Sequence, residues 1–151
     1  MVDLERADEL RSAIELLYFA YRGFTERPDR ILERRGLGRV HHRILYFIGR
    51  RPDVSVRGLL DLLAVSKQAL NAPLRQLIEM NLVSAAADPA DRRLKKLRLT
   101  ADGQRLEAEL TGAQMSHLQS AFERAGLDHE HGWRSVMAQL AGRDLPQNGE
   151  G

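Results

Sequence analysis

Four side chains between positions 67 and 75 are of the types that can pair with base edges or phosphates. Lys67, Gln68, Asn71 and Arg75 are spaced by one, three and four residues, which places them on a single face of a helix. The amides of Gln68 and Asn71 can pair bidentately with adenine, and Lys67 and Arg75 can reach guanine or phosphate; a good bidentate contact contributes ~1–3 kcal/mol of discrimination. A second group follows at 92–96, the densest basic run of the chain. Arg92 and Arg93 suit phosphates or a narrow minor groove, and Asp91 can hold Arg93 through an ion pair. The ordinary alternatives are a wet helix face for the first group and a solvated edge strand for Lys95 and Lys96.

The distribution of charge supports the polyanion reading. The formal net charge of +2 hides a strong asymmetry, because residues 30–100 hold 15 basic and 6 acidic residues while both flanking segments are acidic. A positive field concentrated in the middle of an acidic chain is what phosphate neutralisation and counterion release require. A charge run is also commonly just a solvated face, so charge by itself does not decide.

Composition removes several function classes. The 151 residues suffice for one domain and not for two independent cores. With no cysteine, disulfides, thiolate nucleophiles, zinc-thiolate sites and cysteine-held iron-sulfur clusters are excluded. No apolar run is long enough to span a bilayer, and the first six residues lack the pattern of a secretory signal, so a cytoplasmic protein is expected, without a membrane partner.

The elements that must position the cationic groups can be read from periodicity. Leu4, Leu10, Ile14, Leu17, Tyr18, Tyr21 and Phe24 mark a long amphipathic helix, which Pro28 is expected to bend or interrupt. Val40, Ile44, Phe47 and Ile48 mark a second helix, ended by Gly49 and Pro52. Ser55 can cap a short third helix, and Ser66 a fourth running to Asn81 with Leu70, Leu74, Leu77 and Ile78 on its apolar face. Two short helices joined by so tight a turn predict a helix-turn-helix. Residues 82–86 and 97–100 read as two strands around a turn-rich loop at 87–93, a hairpin wing with the basic run at its tip. Thr100 can cap a long fifth helix carrying Leu106, Leu110, Leu118 and Phe122. Asp128 is expected to cap a last helix with Trp133, Val136, Met137 and Leu140. Pro73 lies two turns inside the fourth helix, where proline costs ~3 kcal/mol in a regular helix, so a kink or irregular first turns are expected.

Three stretches resemble the MarR family of bacterial transcription regulators. Asp88-Pro89-Ala90-Asp91-Arg92-Arg93, followed by Leu99-Thr100 and Gly103, is similar to the family's wing and the start of its fifth helix. Val65-Ser66-Lys67-Gln68-Ala69-Leu70-Asn71, with Leu74, Leu77, Asn81, Leu82 and Val83, resembles its recognition helix and exit. Residues 37–48 resemble its second helix. One departure is Ala72, where many members have arginine.

The resemblance implies a mainly α fold with a small two-stranded β wing, a winged helix-turn-helix lobe at 37–100. It implies dimerisation through the N-terminal helix or helices (1–36) and C-terminal helices (101–144), followed by a flexible tail (145–151). The expected partners are double-stranded DNA, a second copy of the chain and a small-molecule effector. DNA would be bound through the recognition helix 66–81 and the wing 87–96, using Ser66, Lys67, Gln68, Asn71, Arg75, Arg92, Arg93, Lys95 and Lys96. Dimer contacts would come from Leu4, Leu10, Ile14, Leu118, Phe122, Trp133, Met137 and Leu140. An effector pocket would involve Tyr21, His42 and Tyr46. The expected role is a repressor acting on a pseudo-palindromic operator.

Neither a metal nor another cofactor is expected. His41 and His42 point about 100 degrees apart on a helix, and a spacing of two splits His129 from His131. No catalytic residue is expected, because Gly36-Leu37-Gly38 lacks the third glycine and the preceding strand of a phosphate-binding loop. The competing reading is a winged-helix module that binds another protein and has no specific DNA binding, to which Ala72 and Pro73 point.

Overall fold

The computed structural model describes residues 3–143, so the expected tail at 145–151 lies outside the described residues. The chain orders α1 (Leu4–Glu33), α2 (Arg39–Arg50), β1 (Val54–Ser55), α3 (Val56–Leu63), α4 (Lys67–Glu79), β2 (Val83–Ala87), β3 (Lys95–Leu99), α5 (Ala101–Ala125) and α6 (Leu127–Ala141). This is the expected mainly helical chain with a small antiparallel wing. Contacts divide it into two compact units at residue 114.

The first unit is organised around α2. Its Ile44, Leu45 and Ile48 are fully buried together with Leu59 of α3, Leu70 and Leu77 of α4, Leu97 of β3 and Leu106 and Leu110 of α5. Helices α1, α3 and α4 and strand β3 all pack on α2. Burial of this many leucines and isoleucines is the main favourable term holding the lobe.

Local signals start most of the helices. Ser55 Oγ accepts from Gly58 N at 3.0 Å, and Ser66 Oγ from Ala69 N at 3.1 Å, each satisfying one of the unpaired donors of a helix start. Thr100 Oγ1 accepts from Gly103 N at 3.0 Å while donating to Asn81 O at 2.7 Å. Asn81, just beyond α4, takes a left-handed conformation at φ 58°, which asparagine tolerates better than most residues.

Four features depart from the sequence expectation. The α1 helix runs uninterrupted through Pro28, whose single missing hydrogen bond is outweighed by burial of Pro28 and Leu32 in the lobe. The α4 helix likewise continues through Pro73 with a regular first turn, Leu70 N reaching Ser66 O at 3.1 Å. Proline leaves the Ala69 carbonyl without a helical donor, and exposure of that residue lets water take its place. Ile78 lies outside the apolar face and is exposed. At α6 the capping position is Gly126, at φ 102°, and Asp128 falls in the first turn, where its charge complements the helix dipole.

The sheet has a strand that the sequence did not reveal. Its order is β1-β3-β2, all antiparallel, with Val54 opposite Leu97 and the hairpin in register from Val83↔Leu99 to Ala87↔Lys95. In the second unit, the rings of Phe122 and Trp133 meet edge to face at 5.1 Å and the Arg134 guanidinium lies over Phe122. None of the α6 side chains is buried.

At one junction the backbone leaves no room. A β-carbon added to Gly103 would lie 1.9 Å from the Leu82 carbonyl oxygen, and Thr100 N donates to that same oxygen at 3.1 Å. Gly103→Ala is therefore expected to cost ~2–3 kcal/mol or more, because neither backbone can yield. Urea unfolding at an unchanged slope would measure it, and a variant within 0.5 kcal/mol of the parent, on the order expected of a neutral surface change, would show that the contact relaxes freely.

Candidate nucleic-acid interface

Helices α3 and α4 are joined by the short turn Ala64-Val65-Ser66, with Ala64 held left-handed at φ 52° to redirect the chain. Beyond that turn Ser66, Lys67, Gln68, Asn71 and Arg75 are all exposed. Among the described residues no hydrogen bond or ion pair occupies the side chains of Lys67, Gln68, Asn71 or Arg75, so their donors and acceptors remain available to a ligand. Ser66 Oγ is engaged as the helix cap and keeps its own proton to donate.

The wing is pre-organised by its aspartates. Asp88 Oδ1 accepts from Ala90 N at 2.9 Å, and Asp91 Oδ1 accepts from both Arg93 N at 3.1 Å and Arg93 Nε at 3.2 Å. The loop is closed where it leaves the strands by Asp88 N donating to Leu94 O at 2.8 Å. The Asp91–Arg93 pair anticipated from sequence is thus formed, with Arg93 still 92% exposed at the tip. Lys96 Nζ lies 3.9 Å from Asp88. Arg92 and Lys95 are exposed, and neither has an acidic partner among the described residues.

Sequence reading missed the clamp that fixes the base of the wing. The Arg98 guanidinium forks onto Asp53, with Nε to Oδ1 at 2.6 Å and Nη2 to Oδ2 at 2.7 Å. Asp53 N also donates to Leu97 O at 3.0 Å, and Asp53 adopts the left-handed region at φ 70°. The paired charge holds the Asp53 carboxyl below its ordinary range and raises Arg98, mainly through the hydrogen bonds between them. The partners are 45 residues apart, so local pattern carries no sign of the pairing.

The residues proposed for an effector each have partners of their own. Tyr21 Oη accepts from Arg43 Nη2 at 3.0 Å, and the Arg39 guanidinium lies over the Tyr21 ring while forking onto Asp29. Tyr46 meets Phe47 edge to face at 5.2 Å. His42 is only 8% exposed, and its Nε2 lies 3.3 Å from Thr111 Oγ1. Thr111 gives its one proton to Glu107 Oε1 at 2.8 Å, so His42 Nε2–H is the donor of the pair. Burial, and secondarily the positive charge of Arg43, push the His42 pKa down against the opposing pull of Asp29.

Among the described residues, no group of three or more histidine, aspartate or glutamate side chains is placed to hold a metal ion. No helix among them is long and apolar enough to cross a membrane.

A tight helix-turn-helix with an exposed amide and cationic face, flanked by a basic hairpin, defines a winged-helix DNA-binding protein. The sequence model of the MarR family matches residues 35–94. The HTH-type transcriptional regulator PetP of Rhodobacter capsulatus is 44% identical over 133 residues, covering 88% of this chain and 80% of PetP. The chain belongs to the MarR family of DNA-binding transcriptional regulators. Staphylococcus aureus MarR in complex with salicylate and kanamycin shares the fold at a TM-score of 0.73, with 20% identity over 93% of this chain and 95% of that one. The S. aureus MepR–DNA complex does so at 0.70, with 15% identity over 85% and 95%.

Two outcomes follow. A histidine whose folded pKa is depressed leaves the unfolded chain binding more protons, so stability should fall as pH drops through the ordinary histidine value of about 6.5 and level off below the folded one. His42→Gln should flatten that slope in pH-resolved melting curves; an unchanged slope would mean that His42 does not set it. Arg98→Ala should speed amide exchange across residues 83–99 and weaken DNA binding by up to about tenfold, the equivalent of ~1.4 kcal/mol. Exchange indistinguishable from the parent would show that the clamp does not hold the wing.

Proposed function

We propose that this protein is a homodimeric, sequence-specific repressor that binds a pseudo-palindromic operator through α4 and the wing and is released by a small aromatic or anionic ligand. The observation carrying this reading is the unoccupied row Lys67, Gln68, Asn71 and Arg75 beside a wing on which Asp91 already orients Arg93. In this reading the start of α4 enters the major groove, Gln68 and Asn71 read adenine edges, and Arg75 reaches guanine or phosphate. Arg92, Arg93, Lys95 and Lys96 hold flanking phosphates or the minor groove, and Ser66 donates to the backbone at the helix start. The MepR–DNA complex supports DNA as the partner for this fold.

Exposed apolar surface supports the dimer. Leu4 is 88%, Ile14 67% and Leu140 66% exposed, and Leu10 and Trp133 are exposed as well, an arrangement that isolated chains avoid. Leu118, Phe122 and Met137 are half-buried. A second copy covering these faces would set two recognition helices about one DNA turn apart, ~34–36 Å. Acidic flanking segments are suited to lie away from the phosphates. The salicylate-bound S. aureus structure supports an aromatic anion as the effector class, with Tyr21, His42 and Tyr46 as residues to probe. Such a ligand would act by favouring a spacing of the reading heads that does not match the operator.

Fluorescence anisotropy on a duplex from the promoter flanking its own gene, against a scrambled duplex and across a salt series, tests the reading, with light scattering for mass. A dimer that prefers the promoter and loses affinity steeply with log salt is the expected result. Equal, weak binding to both duplexes would instead favour the protein-interaction module. Arg75→Ala should cost ~1–3 kcal/mol on the promoter and relax base preference at one position, whereas Arg92→Ala should weaken both duplexes and lower the salt slope by about one.

A further inference from the structure

Neither His41 nor Gln76 belongs to the reading face, yet they form a closed hydrogen-bonded circuit. Gly38 N donates to His41 Nδ1 at 2.9 Å, which makes that nitrogen an acceptor and leaves the ring proton on Nε2. His41 Nε2 then donates to Gln76 Oε1 at 2.8 Å, and Gln76 Nε2 donates to Gly36 O at 3.4 Å. The circuit begins and ends on the turn between α1 and α2 and passes through α4 one residue beyond Arg75. Its direction is fixed at every step, since neutral histidine has one donor and one acceptor and both are committed. Gly36 takes a left-handed φ of 69°, and its own N–H donates to Glu33 O at 3.0 Å, which ties the residue presenting the last acceptor to the end of α1.

We propose that His41 and Gln76 are positioning residues, a latch that holds the recognition helix against the α1–α2 turn and sets the angle at which Asn71 and Arg75 meet the DNA. The latch couples the end of α1, the helix assigned above to the dimer, to the helix that reads the operator. This rests on the operator-binding reading for its functional consequence, while the latch itself has readouts that need no DNA.

The test uses the full-length protein. Gln76→Met keeps the length of the side chain and removes both bonds. His41→Asn retains a short acceptor for Gly38 N but cannot span to Gln76. Each variant should lose about three- to tenfold in promoter affinity with scrambled-duplex affinity unchanged, and the double variant should be no worse than Gln76→Met alone, because that change already removes both bonds from α4 to the turn. Nitrogen-15 spectra of the wild-type histidines should show His41 protonated at Nε2 and bare at Nδ1, and Gln76→Met should speed amide exchange across residues 67–79. Promoter affinities within twofold of wild type, or additive losses in the double variant, would overturn the proposal. If the wild type itself fails to prefer the promoter, operator reading fails instead, and the His41 tautomer and the exchange rates of Gln76→Met decide the latch alone.

Discussion

The backbone of Leu82 meets the first turn of α5 with no space between them, and three parts of the DNA-binding lobe depend on that meeting. Leu82 follows the end of α4, immediately precedes β2, and offers the carbonyl that receives Thr100 N where β3 passes into α5. The recognition helix, the wing and the long helix are therefore indexed to one peptide unit. Only a residue without a β-carbon can occupy position 103, and Thr100 bonds both sides of the junction, to Asn81 O and from Gly103 N. A lobe built this way moves as one piece. The angle between the reading helix and the wing is a property of the fold and need not be assembled at the moment of binding, which lowers the ordering entropy that DNA contact must overcome.

Electrostatics divides the basic residues of this lobe by task. Arg98 is committed to Asp53 and Arg39 to Asp29, each as a fork, and both serve the architecture. Arg93 is oriented by Asp91 yet remains almost wholly exposed at the tip. Lys67, Arg75, Arg92 and Lys95 have no acidic partner among the described residues. The 15 basic residues of 30–100 therefore overstate the cations available to phosphates, and the aspartates of the wing convert part of that charge into rigidity.

Legibility in the sequence followed the range of the interaction. Ser55, Ser66 and Thr100 act through donors three residues away, and each was readable as a cap. Asn81 was readable as a helix end, and the Asp-Pro loop as a hairpin tip, because their preferences are intrinsic to the residue. What escaped was either tertiary or too short. Two residues of β1 cannot show an alternating pattern. Arg98 finds Asp53 across 45 residues, and His41 finds Gln76 across 35. Pro28 and Pro73 are helix breakers by intrinsic preference, but packing against the lobe outweighs one missing hydrogen bond in each helix. The exposed polar face of α4 was legible because its side chains are those left over once the apolar stripe is assigned.

The left-handed backbone at Asp53 places two physical demands in opposition. A glycine there would adopt φ 70° without steric cost and would relax the turn before β1. It would also delete the carboxylate that steadies the wing. Relief of backbone strain therefore favours the smaller residue, and the fork onto Arg98 favours the larger one. Position 53 thus sets local backbone strain against a long-range anchor, the turn being held in a conformation its own residue disfavours by a pairing made 45 residues away.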